Sequence, residues 1–277
     1  MKQIKTFIKE ISRRYIGHEV SRQGAQLAYF CTLSMFPFII IINVLIGLLD
    51  INRETVIQML LPVLPYETVD MISSYVSYLN YNARYSVLSV GIVITIFSAS
   101  KAMTALTHAL NRAYKAPRRK GLVKNTCISM AMVVMLAITV LVTILFLLAG
   151  EKVMAFANIH VNAPGMLNFA RWGIVLVILF FSITALYKFV PNAKISFRDV
   201  LPGTLFAMVG WMTFTLGFAL YIKLFPNISV LYGSLGAIIM MMMWFYFTMI
   251  FLVLGAEINS HMQDRQNSFI SAPKKAE

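Results

Sequence analysis

Lys101 interrupts the apolar stretch GIVITIFSASKAMTALTHALNRAY (Gly91–Tyr114) at a depth where a membrane-spanning helix would meet lipid tails. Thr104, His108, Asn111, Arg112 and Lys115 follow at offsets of three, seven, ten, eleven and fourteen, so all six fall on one side of a helix. Polar groups on one stripe of a spanning helix face the protein interior or a watery cavity, because facing lipid is costly. The chemistry this predicts is electrostatic: a vestibule whose cations hold an anionic headgroup or substrate. The plainer reading is that Lys101 snorkels to the headgroups while the rest of the stripe emerges into water. Glu257, in LGAEIN, is the only acidic residue at the inner end of the last apolar segment. It is placed to pair with Lys101, Arg112 or Lys188, either as an ordinary helix-end salt bridge or in a gating or coupling role.

Other chemistries lack their residues. His18, His108, His160 and His261 are scattered, and no His-x-Glu, His-Glu-x-x-His or acidic cluster suggests a metal site. There is no Gly-x-Ser-x-Gly elbow and no phosphate-binding Gly-Lys-Ser/Thr loop, so neither acyl transfer nor ATP-driven pumping is expected of this chain, and no cofactor is implied. Cys31 and Cys127 lie in apolar segments without metal-type spacing, which predicts no structural disulfide.

The elements that must position these residues are hydrophobic. Apolar residues make up 59% of the 277 and mean hydropathy is +0.75, well above soluble domains. Windows of about 20 apolar residues, the length that crosses a bilayer, occur near 25–49, 86–110, 126–149, 169–190, 201–225 and 234–258. The expected fold is all-α: one polytopic membrane helix bundle over residues 1–262 with six transmembrane helices, followed by a disordered cytoplasmic tail, 263–277. The 24 Lys and Arg against 11 Asp and Glu give a net charge of +13. Most of them collect before the first window and after the second, fourth and sixth, which puts both termini in the cytoplasm and accounts for the charge without nucleic acid. The opening residues show no cleavage-site pattern, which predicts an unprocessed N-terminus. Residues 50–84 predict one or two short interfacial helices on the outer side. The N-terminal arm, with Ile4, Phe7, Ile8, Ile11 and Tyr15 opposite Lys2, Lys5, Lys9 and Arg13, predicts an amphipathic helix on anionic lipid. Gly203, Ala207, Gly210 and Gly217 share one face of the fifth window and predict close helix packing. Met240–Met243 beside Trp244 read as lipid-facing filler or an adaptable slot. Pro37 predicts a kink, and Pro191–Asn192 a helix end.

Five motifs carry a family resemblance: SRQGAQLAYFCTLSMFPFIII (21–41), ALNRAYK (109–115), FVPN (189–192), SVLYGSLGA (229–237) and LGAEIN (254–259). Together they resemble the YihY/BrkB family of bacterial inner-membrane proteins, over roughly residues 5–262. The resemblance implies a bacterial cytoplasmic-membrane protein with six helices, in a family once labelled ribonuclease BN and associated with serum resistance. Carried onto this chain, it points to Gln26, Tyr29, Pro37, Asn111, Tyr114, Pro191, Asn192, Tyr232, Gly233, Gly236, Gly255 and Glu257. Lys101 belongs to none of these motifs. The ribonuclease label does not fit the sequence, since RNA hydrolysis needs positioned acid–base groups or metals and the inner loops offer only cations.

The function expected is that of a transporter or flippase-like protein for an anionic lipid or amphiphile, with Lys101, Thr104, His108, Asn111, Arg112, Glu257, Gln26 and Tyr29 as substrate-binding candidates. Its partners would be anionic membrane lipids, and a homo-oligomer is compatible with the sequence. The alternative is a non-catalytic membrane scaffold that recruits partners through NRAYKAPRRKG.

Overall fold

The computed structural model describes residues 2–48, 69–70, 74, 85–117, 139, 164–193, 195–224 and 234–271. Among them are six helices and no strand: α1 (Lys2–Gly17), α2 (Val20–Leu48), α3 (Tyr85–Ala113), α4 (Pro164–Phe189), α5 (Phe197–Leu224) and α6 (Ser234–Ser271). The expected third span, all but Thr139, and nearly all of the expected outer interfacial segment lie outside the described residues, as do Tyr232 and Gly233. Among the described residues, two helices are long and apolar enough to cross a bilayer, Phe197–Leu224 with 28 residues and Leu235–Asp264 with 30. At 1.5 Å per residue these reach about 42 and 45 Å, beyond the roughly 30 Å hydrocarbon core. Helix α6 does not stop at 258 but runs to Ser271, through much of the stretch expected to be a disordered tail.

The helix ends follow local chemistry. At the end of α3, Ala116 N–H reaches Asn111 O at 2.8 Å and Lys115 N–H reaches Arg112 O at 3.2 Å, with Lys115 left-handed at φ 52°. This is a Schellman cap, and Pro117 prevents the helix from resuming. Glycine normally fills the left-handed position; Lys115 and Glu19 (φ 54°, between α1 and α2) fill it here, and both side chains form ion pairs. The start of α5 is a capping box, with Ser196 N–H donating to Asp199 Oδ2 at 3.1 Å. The chain leaves α4 at Phe189 just before Pro191–Asn192, whereas α2 continues as helix through Pro37.

Helix α6 is the central element, packed on α5 and α2, while α2 also packs on α3 and α4 on α5. The larger core joins Val20 and Leu27 of α2, Leu106 and Leu110 of α3, Leu186 and Tyr187 of α4 and Val253 of α6. A second core between α5 and α6 buries Met240 and Trp244 against Phe218 and Ile222, with Trp211 and Phe214 beside them. The methionine-aromatic run is therefore helix-packing material rather than lipid-facing filler. The reason is complementarity: α5 supplies aromatic rings at matching heights, as in the Trp211–Trp244 edge contact at 6.3 Å.

The tightest crossing is between α5 and α6. A Cβ on Gly203 would collide with Gly255 O and come within 2.5 Å of Asn259 Cγ; one on Gly255 would lie 2.6 Å from Gly203 O. Pro202 lacks an N–H to continue the helical ladder, and the next amide, Gly203 N–H, donates to Asn259 Oδ1 at 2.6 Å. The small face closes at Gly203, Ala207 and Gly210 but not at Gly217, which has no neighbour within 4 Å.

Candidate functional site

The structure separates the uncharged members of the expected stripe, Thr104 and Asn111, from its exposed members, Lys101, His108, Arg112 and Lys115. Lys101, His108 and Arg112 are exposed, with Lys101 Nζ 5.4 Å from the centre of the Phe97 ring, whereas Asn111 is buried. Thr104 donates its hydroxyl to Ser100 O within α3. Helical geometry explains the split, because at about 100° per residue Thr104 and Asn111 lie roughly 60–80° from Lys101, toward the packed edge of the stripe. Gln26 and Tyr29 are also exposed on α2.

Asn111 has a local role instead. Its Oδ1 accepts Asn192 N–H at 2.7 Å, and Asn192 Nδ2 donates to Pro117 O at 3.2 Å. Two of the sequence motifs, ALNRAYK and FVPN, are in this way clasped to each other where α3 and α4 end. Asn111→Ala leaves the Asn192 amide without its acceptor and is expected to cost about 1–3 kcal/mol. The check is a thermal melt in detergent, in which Asn111→Asp, keeping the acceptor, should lose less.

The structure assembles a different site at this same end of the bundle, around Glu257. That carboxylate is 1% exposed, and its partners are not Lys101, Arg112 or Lys188 but two side chains of the N-terminal arm. His18 Nδ1 lies 2.5 Å from Glu257 Oε1, and Arg14 Nη1 lies 3.6 Å from Oε2. Arg14 is itself buried and donates to Asp264 Oδ2 at 2.8 Å and Ser260 Oγ at 3.2 Å. Asp264 also accepts from Lys115 at 2.8 Å. Arg112 turns outward to Glu19 Oε2 at 3.3 Å and Gly17 O at 3.1 Å. Lys188 is taken by Ile195 O and stacks over Phe197.

The arm is a helix, as expected, and part of one face is taken up by the protein. Phe7 meets His261 edge-on at 5.5 Å, and Arg14 and Tyr15 turn into the protein. Lys5, Ile8, Lys9, Arg13 and Ile16 form the outward stripe. Glu10 lies at the margin; the hydrogen bond from Arg13 holds its carboxyl below the ordinary 4.5.

Beneath the ionic layer lie polar groups at lower hydration. Tyr187 donates to Leu252 O at 2.6 Å. Tyr114 OH and Asn259 Nδ2 are both buried. Burial pushes the Tyr114 phenol well above its ordinary range; the Asn259 amide opposes that, while Asp199 and Glu257 reinforce it. Tyr114 is therefore a neutral hydroxyl at physiological pH.

A His–carboxylate pair orients an imidazole and shares a proton with it. To act in hydrolysis it would need a nucleophile or water positioned at the second ring nitrogen, and among the described residues no hydroxyl bonds His18. No group of three or more His, Cys, Asp or Glu that could hold a metal occurs among the described residues.

Comparison with known proteins places this geometry. Residues 11–277 match the family described as Virulence factor BrkB. The chain belongs to the BrkB family. It is 33% identical over 265 residues to a protein of Bacillus subtilis (strain 168) named as ribonuclease-like, YfkH, covering 94% of this chain and 96% of that one. Proteins named UPF0761 membrane protein are also similar. That of Pseudoalteromonas translucida (strain TAC 125) is 25% identical, covering 89% of this chain and 82% of its own. That of Cronobacter sakazakii (strain ATCC BAA-894) is 27% identical, covering 92% and 87%. No solved structure matches the chain. This BrkB-family protein is thus a membrane protein, and the Glu257 cluster lies where its N-terminal arm meets α6.

Sequence reasoning singled out Glu257 but missed Arg14 and His18 as its partners. The signal was available. Ile4, Phe7, Ile11 and Arg14 recur at spacings of three and four, so a charged position lies on the apolar stripe of α1, where a charge requires a buried partner, and His18 continues the spacing just past the helix end.

Proposed function

We propose that this protein is a transporter or flippase-like protein of the bacterial cytoplasmic membrane that handles an anionic lipid or amphiphile. The observation that carries the reading is Glu257: a carboxylate buried in a long apolar helix and held by Arg14 and His18 of the N-terminal arm. Ionisable groups inside membrane bundles mark substrate or proton pathways far more often than they serve stability. A scaffold acting only through a cytoplasmic loop has no use for one.

Chain direction supports six crossings with both termini on the cytoplasmic side. The start of α2, the ends of α3 and α4, the start of α5 and the inner part of α6 all meet around Asn111, Asn192 and Glu257. If 126–149 makes one return crossing, as its apolar run predicts, the crossings number six. The basic residues beside this end then lie on the inner leaflet side.

Lys101, exposed beside Phe97, is placed to meet a lipid headgroup from the bilayer side of α3 rather than a solute in an enclosed vestibule. The test is reconstitution into vesicles containing tail-labelled phosphatidylglycerol, with label on the outer leaflet quenched from outside. Protein-containing vesicles should expose inner-leaflet label faster than empty ones; equal rates would remove the proposal. Lys101→Arg should retain the rate, and Lys101→Ala should lose about five-fold, the equivalent of the roughly 1 kcal/mol a basic residue contributes at an anionic surface.

A further inference from the structure

We infer that His18 and Glu257 form the proton-binding site through which this transport is coupled to a proton gradient. The inference rests on the transport reading for its purpose, while the site itself rests on geometry. Glu257 Oε1 shares a 2.5 Å bond with His18 Nδ1, and Oε2 makes no hydrogen bond among the described residues. The two oxygens are held unequally: Oε1 is hydrogen-bonded to the histidine, whereas Oε2 has only the longer ion pair with Arg14 Nη1 at 3.6 Å.

The route is short. His18 is 24% exposed and Glu257 1%, so the imidazole reaches solvent and the carboxylate does not. One proton is taken from water at the free ring nitrogen, giving an imidazolium. The Nδ1 proton then passes to Glu257 Oε1, leaving a neutral imidazole and a neutral carboxyl. The pair has gained one proton and lost one negative charge. Arg14, no longer attracted by Glu257, keeps Asp264 and Ser260. The hold of α1 on α6 is weakened at one point without being abolished, which is what a coupling step needs. Beyond Glu257, Tyr114 OH and Asn259 Nδ2 are further buried polar groups.

The charges facing this pair bias it without replacing it. From α1 these are Arg14 and, through it, Glu10; from α6, Asp264 and His261. The α3 end contributes Tyr114 and Lys115, and α5 contributes Asp199, which acts on Tyr114 together with Glu257 itself. Glu10 serves as an internal control. Its carboxyl is held low by Arg13, so its contribution to docking is present above 4.5 and is lost only as pH falls below that value.

The experiment uses the full chain in phosphatidylglycerol vesicles. Infrared difference spectra between about pH 8 and pH 5, the histidine range, should show a protonated-carboxyl band that vanishes in Glu257→Gln, moves in His18→Gln and persists in Glu10→Gln. Absence of any Glu257-dependent band overturns the site. Should Glu257→Gln not fold, His18→Gln decides alone, and an unmoved band is the overturning result. In the labelled-lipid assay, an imposed proton gradient should speed the wild type several-fold and leave Glu257→Gln indifferent. Lipid movement by the wild type at a rate independent of the gradient overturns the coupling and leaves transport standing. A titrating Glu257 band without any lipid movement does the reverse.

Discussion

Glu257→Ala is expected to destabilise the folded protein by about 3 kcal/mol, the lower end of the range for removing one partner of a buried ion pair. The loss is not the attraction of a surface salt bridge. Arg14 has a side chain only 9% exposed, and without Glu257 its Nη1 keeps Ser260 Oγ but faces no second charge, while His18 Nδ1 loses its sole acceptor. The lower end applies because Asp264 still binds Arg14 Nη2 at 2.8 Å. Detergent melts of the full chain, followed by the loss of monodisperse protein, should fall by about 6–12 °C, taking roughly 2–4 °C per kcal/mol. Glu257→Gln, which keeps an oxygen for His18, should fall less. The double change Arg14→Leu with Glu257→Leu should recover much of the deficit, because neither desolvated charge remains. If that double variant is as unstable as Glu257→Ala, uncompensated burial of Arg14 is not the cause.

Gly203→Ala should cost still more, about 3 kcal/mol or above, beyond ordinary overpacking. The added methyl would meet Gly255 O and Asn259 Cγ, the latter at 2.5 Å. The first obstacle is backbone, which cannot rotate away. Separating α5 from α6 enough to admit the methyl also stretches the bond from Gly203 N–H to Asn259 Oδ1, stranding a buried amide. Gly217→Ala is the matched control on the same helix: nothing lies within 4 Å of its Cβ. It should be neutral or stabilise by up to about 1 kcal/mol through helix propensity. The yield of folded protein and its melting temperature distinguish the two, and equal behaviour would show that the α5–α6 crossing is looser than described.

Helix positions were legible because bilayer thickness and apolar run length are tied. The windows 86–110, 169–190 and 201–225 fall within a few residues of Tyr85–Ala113, Pro164–Phe189 and Phe197–Leu224. Helix ends were less so. The capping box at Ser196 and the proline after Lys115 set two of them locally, whereas α6 outlasts its apolar run because its polar continuation packs against α1. The small face of α5 was readable as a face, yet its close approach stops at Gly210, since only a neighbour can decide where two helices diverge.

The amino-acid sequence alone determined that hydrophobic helices form, that basic residues gather at one end, and that Glu257 is an acid in a costly place. These follow from composition and periodicity, which act along a single helix. Which cation meets Glu257 was decided only in three dimensions. Arg14 and His18 are more than two hundred residues away in the chain, and they reach it because α1 folds back on α6 through the left-handed turn at Glu19. Ion pairing acts over a few ångströms, so the tertiary packing of two helix faces, and not their order in the chain, selects the partners.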